Sequence, residues 1–188
     1  MSHLVFCLEE PSAKAMLEKL LPRILPEGVS VDYIVFEGKQ NLHKQLGKRL
    51  RGWQRPDTRF IVIRDQDSSD CIVTKAELAN ICAEAGRADT MVRIACCELE
   101  SWYLGDLQAV ELGLKLNGLT KHQGSSKFRH PDALVNAAEE LKKLTKDKYQ
   151  KLSGSRAIAP HLSLSDNKST SFNVLIRGIE QVCKEMGA

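Results

Sequence analysis

The first 106 residues alternate four times between a short apolar run and an amphipathic helical pattern. The apolar runs cover residues 4–8, 29–36, 60–65 and 91–97, and they are rich in β-branched and aromatic side chains. Between them, apolar residues recur at spacings of three and four, which is typical of helices. Because continuous apolar strands joined by helical crossovers form parallel sheets, we predict an α/β fold with a four-stranded parallel sheet and helices on both faces.

The pattern changes beyond Asp106, because runs of β-branched residues become rare. Helical spacing recurs at residues 131–144 and 171–186, and the segments around them are polar. We therefore expect residues 1–106 to form the α/β core. Residues 107–188 are expected to form a C-terminal helical appendage that packs on this core.

Composition excludes several classes of protein. The chain has 188 residues, of which 43% are hydrophobic and 27% charged, as in globular proteins that are not disordered. No apolar run approaches the roughly 20 residues that span a bilayer, and the first residues do not resemble a secretory signal. We expect a cytoplasmic protein without a membrane partner. The six cysteines form no C-x-x-C pair, so we expect them to be reduced core residues.

Acidic side chains follow three of the four predicted strands, and a Gly-Lys pair follows the remaining one. In parallel sheets, binding and catalytic sites form beyond the carboxyl ends of the strands, so these residues are expected to meet at one edge. In chain order they are Glu9 and Glu10, then Glu37, Gly38 and Lys39, then Asp65 and Asp67, then Glu98 and Glu100.

The aspartates of the RDQD sequence are the first candidate metal ligands. Side chains alternate along a strand, so Asp65 and Asp67 would point the same way if the strand continued through them. Paired carboxylates suit a hard cation such as Mg²⁺ or Mn²⁺. The alternative is a polar loop in which aspartate and serine form turns or cap the next helix. Glu98 and Glu100 would lie about 200° apart on a helix, so only one could face the metal, whereas on an extended segment both could; Glu98 is slightly favoured.

The order of these motifs resembles the Toprim domain of topoisomerases, primases and overcoming-lysogenization-defect (OLD) nucleases. More closely, the chain is similar to a bacterial family with a domain of unknown function and a Toprim-like core, often encoded beside an AAA-type ATPase. The segments that carry this similarity are LEEPSAK, FEGKQNL, RDQDSSDC, RIACCELESWYLGD and SFNVLIRGIE.

The resemblance implies a role for each acidic residue. Glu9 would be a metal ligand or an acid-base group, and Asp65 and Asp67 would bind Mg²⁺ or Mn²⁺. Glu98 and Glu100 would supplement them. Glu10 stands where Toprim domains usually have glycine, which leaves the turn geometry and the number of metals open. Nucleic acid, DNA in preference to RNA, and the AAA-type ATPase are the implied partners, and a homodimer is left open.

Basic residues could assist the same chemistry. Lys39 could reach a phosphate, although a lone Gly-Lys is not a phosphate loop. Lys151 could act in catalysis and Arg156 could bind the nucleic-acid backbone, or both could stabilise the C-terminal helices. A further basic cluster between Lys44 and Arg55 fits either a phosphate-bearing partner or a solvated helix face.

These observations, together with the resemblance, favour a magnesium-dependent Toprim-like nuclease, a phosphodiester hydrolase. The resemblance implies that it acts with the ATPase in a bacterial defence system against phage or foreign DNA. One alternative is a non-catalytic regulatory or interaction subunit of the ATPase. Another is a phosphate-receiver-like domain, which would need a lysine from a later strand. The sequence contains no tyrosine in a position typical of covalent strand passage and no nucleophile elbow, so topoisomerase and acyl-transfer chemistry lack support.

Overall fold

Four strands form one parallel sheet in the computed structural model, which describes residues 2–187. The strands lie in the order β2-β1-β3-β4, and each neighbouring pair is parallel. Their bounds are β1 His3–Leu8, β2 Ser30–Val35, β3 Thr58–Asp65 and β4 Met91–Ala95. The predicted four-stranded parallel sheet is therefore confirmed.

Eight α-helices lie within residues 2–187. None of these helices has both the length and the apolar character that crossing a membrane requires. In chain order they are α1 Pro11–Leu20, α2 Lys39–Arg51, α3 Cys71–Glu84, α4 Glu100–Leu104, α5 Leu107–Leu114, α6 Ala137–Leu144, α7 Lys151–Ile158 and α8 Thr170–Glu185.

Both faces of the sheet are covered, as the sequence predicts. The alternation along β1 sends Leu4, Phe6 and Leu8 into one hydrophobic cluster and Val5 and Cys7 into another. The first cluster includes residues of α1, α4, α5 and α8, and the second includes residues of α2 and α3. The sheet is therefore the middle layer between two sets of helices.

The C-terminal residues are helical and join the first cluster. Trp102, Tyr149 and Phe172 are among its largest fully buried side chains. Helix α7 is not evident from the sequence, because its segment has weak apolar periodicity. It forms by packing small residues closely: a Cβ on Gly154 would lie 2.5 Å from Cδ2 of Tyr149. The aromatic ring thus occupies the space that a larger residue would need.

The cysteines are all free thiols in the described structure, and Cys7, Cys82, Cys97 and Cys183 are buried. Strand β4 ends at Ala95, so Cys96 and Cys97 follow the strand. The expectation that the strand reaches Cys97 is wrong, because the backbone turns before the start of α4.

The centre of the sheet contains a topological switch point. Strands β1 and β3 are neighbours, but α1 leaves β1 toward one face, whereas α3 leaves β3 toward the other. A crevice therefore opens beyond the carboxyl ends of these two strands, which is where open α/β sheets bind ligands. Glu9 follows β1, and Asp65 is the last residue of β3.

Candidate functional site

Glu9 and Asp65 meet at the switch point. The backbone N–H of Asp65 donates a hydrogen bond of 3.1 Å to Oε2 of Glu9. The Nε atom of Arg64 lies 3.8 Å from the same oxygen, and the Glu9 side chain is only 16% exposed. The ends of two neighbouring strands therefore bring together two acids that are far apart in the sequence.

Five acidic residues interact electrostatically at this edge of the sheet. Burial raises the pKa of the Glu9 carboxyl, and the neighbouring Asp67 and Glu10 carboxylates raise it further. Burial also holds the pKa of Asp65 well above its usual range, and Glu100, Glu10 and Glu9 add to this effect. We call Glu9, Glu10, Asp65, Asp67 and Glu100 the carboxylate cluster.

Asp67 lies beyond the strand and turns toward a lysine. Because β3 ends at Asp65, the strand alternation expected for the two aspartates does not reach Asp67. Asp67 has a left-handed backbone with a φ of 53°, a conformation that aspartate tolerates better than most residues. Its Oδ2 atom lies 2.9 Å from Nζ of Lys39, the first residue of α2. The structure thus places Lys39 at the rim of the cluster.

Glu98 and Glu100 point to different places. Oε2 of Glu98 accepts a hydrogen bond of 2.7 Å from the N–H of Ala138, in the first turn of α6. Glu100 is fully buried, and its Oε1 accepts a hydrogen bond of 2.8 Å from the Tyr149 hydroxyl. Its charge raises the pKa of Asp65. The slight preference for Glu98 is thus not supported by the geometry, which gives Glu98 a helix-capping contact and places Glu100 in the cluster.

One oxygen of Glu100 has no protein partner. Oε2 is buried and accepts no hydrogen bond within residues 2–187. Burial raises the pKa of this carboxyl, whereas Lys151 and the Tyr149 hydroxyl lower it. Because buried carboxylate oxygens are normally satisfied, Oε2 is an available ligand atom beside the other acids.

Lys151 brings a positive charge from the C-terminal helices to the cluster. Its Nζ lies 3.0 Å from Oε2 and 3.3 Å from Oε1 of Glu10. Burial lowers the pKa of this ammonium, but Glu100, Glu10 and Asp65 outweigh that effect and raise it to about 12. Lys151 therefore remains charged at neutral pH.

Arg156 does not join this group. It is exposed on α7, and it lies five residues, or about 140° around the helix, from Lys151. The structure therefore brings Lys39 and Lys151 to the carboxylate cluster but leaves Arg156 on another face.

Three residues near the cluster were not identified from the sequence. Arg64 is buried, and its Nη1 lies 3.2 Å from Nε2 of His43 on α2. A charged residue inside the apolar FIVIRD run was the available signal for Arg64. Tyr149 gave no signal, because only the tertiary packing of the segment before α7 brings it to Glu100 of α4.

The chemistry of the cluster suits a hard divalent cation, because carboxylate oxygens, including the unpartnered Oε2 of Glu100, surround the crevice. The side chains are not yet arranged around an ion, however. Within residues 2–187, no three Asp, Glu, His or Cys side chains converge to hold a metal. Asp67 instead faces Lys39, and Glu10 faces Lys151. A cation would therefore replace contacts that these carboxylates now make with lysines.

Two comparisons with known proteins identify relatives. The family model described as "Domain of unknown function (DUF4276)" matches residues 8–180. A solved structure, the C-terminal region of the OLD protein of Xanthomonas campestris pv. campestris, is 15% identical with a TM-score of 0.52. The alignment covers 100% of this chain and 99% of that chain. At this identity the similarity shows the fold alone, which is Toprim-like. No curated protein matches the sequence.

Proposed function

The chain belongs to the DUF4276 family, and we propose that it is a divalent-metal-dependent nuclease that hydrolyses phosphodiester bonds. One observation carries the proposal: Glu9 at the end of β1 and Asp65 at the end of β3 are joined by a 3.1 Å hydrogen bond at the switch point of the sheet. Further acids and Lys151 lie around this pair. The Toprim-like fold and the resemblance to Toprim nucleases support the same activity.

Four residues are proposed as ligands for Mg²⁺ or Mn²⁺. Asp65 and Asp67 provide carboxylates from the RDQD sequence, Glu9 provides one from β1, and Glu100 provides its unpartnered oxygen. When bound, such a cation polarises the phosphoryl group and lowers the pKa of a coordinated water. Glu98 is a weaker candidate, because its side chain already accepts a hydrogen bond from α6.

The protein's own groups supply the remaining functions. Glu9 is either a ligand or an acid-base group; in the second role, its raised pKa allows the carboxyl to exchange a proton nearer neutral pH. Lys151 stays protonated, so its ammonium can neutralise the charge that develops on a phosphate. Lys39, released from Asp67 when a cation binds, could contact a neighbouring phosphate.

The proposed substrate is DNA in preference to RNA, and the proposed partner is an AAA-type ATPase encoded nearby. The resemblance to the bacterial family supports this partner, and the likeness to an OLD protein fits the same context. Together they support a role in a bacterial defence system that acts on phage or foreign DNA.

A cleavage assay tests the proposal. The purified protein, alone and with the ATPase, is incubated with plasmid DNA or RNA in Mg²⁺, Mn²⁺ or EDTA. We expect cleavage that requires the metal and is lost in Asp65→Ala. It should persist in Glu27→Gln, which changes an exposed acid near the opposite edge of the sheet. Inactivity of the wild type under all metal and partner conditions would overturn the proposal.

A non-catalytic subunit of the ATPase is the second candidate, and one observation favours it. Lys39 and Lys151 already neutralise two carboxylates of the cluster, as they would in a structural or interaction surface. In that case, neither Mg²⁺ nor Mn²⁺ would stabilise the protein, and Asp65→Ala would alter binding or regulation of the ATPase without abolishing any cleavage.

A further inference from the structure

Helix α2 carries an unusual concentration of positive charge. Its sequence, KQNLHKQLGKRLR, contains five lysines and arginines and no acid. The whole chain has a net charge of only +3, so this helix is a strongly positive element on a nearly balanced protein. We call Lys44, Lys48 and Arg51 the basic tract, because they lie within about 60° of one another around the helix.

The basic tract lies on the face of α2 that points to solvent. Lys44 and Lys48 each lie two residues after a buried leucine, Leu42 and Leu46, which places them about 200° away on the helix. Lys44, Lys48 and Arg51 are exposed and make no ion pair within residues 2–187. Their charges are therefore available to a partner.

Helix α2 begins at the carboxylate cluster. Lys39 is the first residue of α2, and its Nζ lies 2.9 Å from Asp67. Beside it, Lys39, His43, Arg64 and Glu77 line a cleft of about 430 Å³ between α2 and α3. Two acids face α2 in this cleft, Glu77 of α3 and Asp70, the N-cap residue of α3. The basic tract lies further along the same helix, and Lys44 is about 140° around the helix from Lys39, on the face that points to solvent.

The dimensions and charge of the tract fit a nucleic-acid backbone. From Lys44 to Arg51, seven helical steps of 1.5 Å give a length of about 10 Å, which matches about three nucleotides at 3.4 Å per step. Lys44 and Lys48 are about 6 Å apart along the helix axis. A row of three cations that make no ion pair within residues 2–187, on a helix without an acid, complements a row of phosphates.

We propose that the basic tract of α2 binds the phosphodiester backbone of the DNA duplex near the carboxylate cluster, which lies at the start of the same helix. This inference rests on the proposed function for its biological meaning, but binding can be measured without cleavage. The contacts are to phosphates, so they position the duplex and do not read its sequence.

The test compares two double variants with matched changes in charge. Lys44→Glu/Lys48→Glu reverses the charge of two residues of the tract. Lys142→Glu/Lys184→Glu reverses two exposed helical lysines that also make no ion pair within residues 2–187. Fluorescence anisotropy with a labelled DNA duplex in EDTA measures affinity across a range of salt concentrations, and thermal melting checks that each variant folds.

We expect the tract variant to bind at least about tenfold more weakly at low salt, and its slope of log K against log salt to fall by about two. The control variant should lose much less affinity. Equal losses in both variants, or no measurable binding by the wild type, would overturn the proposal. If Lys44→Glu/Lys48→Glu does not fold, Lys44→Gln/Lys48→Gln replaces it, with half the change in charge.

The same assay separates this inference from the nuclease proposal. Asp65→Ala should bind the duplex in EDTA at least as tightly as the wild type, because it removes a negative charge. If binding depends on the tract but the wild type cleaves no DNA, only the nuclease proposal is contradicted. If the tract variant cleaves and binds DNA as the wild type does, only the proposal that the tract binds DNA is contradicted.

Discussion

The Tyr149 hydroxyl donates a hydrogen bond of 2.8 Å to Oε1 of Glu100, although the two residues are 49 positions apart in the chain. Both side chains are fully buried. The bond connects the segment before α7 to the first residue of α4, which is Glu100 of the carboxylate cluster. It fixes one oxygen of Glu100, while the other oxygen has no partner within the described residues.

Removal of this bond should destabilise the protein. Tyr149→Phe keeps the ring but leaves a buried carboxylate oxygen without its donor, so we expect the free energy of unfolding to fall by about 1–3 kcal/mol. Urea denaturation measures the change. Tyr103→Phe is the matched control, because its buried hydroxyl has no hydrogen-bond partner within residues 2–187. A loss in Tyr103→Phe as large as that in Tyr149→Phe would contradict the assigned role of the bond.

Divalent cations should stabilise the folded wild type. A ligand that binds only the folded state at 100 times its Kd adds about 2.7 kcal/mol, so Mg²⁺ or Mn²⁺ is expected to raise the Tm. Asp67→Ala should show little of this increase, whereas Glu27→Gln should behave like the wild type. Thermal melting with increasing metal measures the effect. An equal response in all three proteins would place cation binding elsewhere.

Neutralising Asp65 should stabilise the metal-free protein at neutral pH. The pKa of Asp65 is raised in the folded state, mainly by burial and then by Glu100, so the folded protein binds more protons than the unfolded chain. Stability therefore decreases as pH rises from the ordinary value of 3.8 through the raised pKa. Asp65→Asn removes this penalty. We expect its Tm in EDTA to exceed that of the wild type at pH 7, with the difference shrinking toward pH 4.

Glu98 and Glu100 should differ in their response to substitution. Glu98→Ala removes the acceptor for the Ala138 N–H, so we expect a loss of about 1 kcal/mol in the free energy of unfolding and a normal rise in Tm with Mn²⁺. Glu98→Gln retains an acceptor oxygen and should recover much of the stability. Glu100→Gln should instead weaken the response to Mn²⁺. A smaller rise in Tm with Mn²⁺ in Glu98→Gln would indicate that Glu98 binds the metal.

Lys151 should affect the rate of cleavage through its charge. If the protein is a nuclease, Lys151→Met is expected to lower kcat by about 10²–10³, as when one donor to a developing negative charge is removed. Lys151→Arg should retain part of the activity. Because the pKa of Lys151 is about 12, its titration should not appear in the pH-rate profile between pH 6 and 9. A wild-type rate in Lys151→Met would exclude this role.

The apolar runs in the sequence locate the carboxyl ends of the strands. Because the strands are parallel, these ends meet at one edge of the sheet. This reasoning anticipated the meeting of Glu9 with Asp65 and the position of Lys39 near the site. It did not anticipate that Asp67 would leave the strand with a positive φ, since the end of a strand depends on where its neighbour stops pairing. It also favoured Glu98, because the helix after β4 was not placed accurately enough to show which glutamate faces inward.

The sequence by itself determined the alternation of strands and helices, the parallel sheet and the edge at which the acids meet, because apolar periodicity and strand direction are local properties. Only the tertiary structure decided which groups share the crevice. The packing of α7 on α1 brings Lys151 to Glu10, and the burial of Tyr149 brings its hydroxyl to Glu100. These contacts join distant segments, and Gly154 leaves the space that the Tyr149 ring occupies, which no local pattern records.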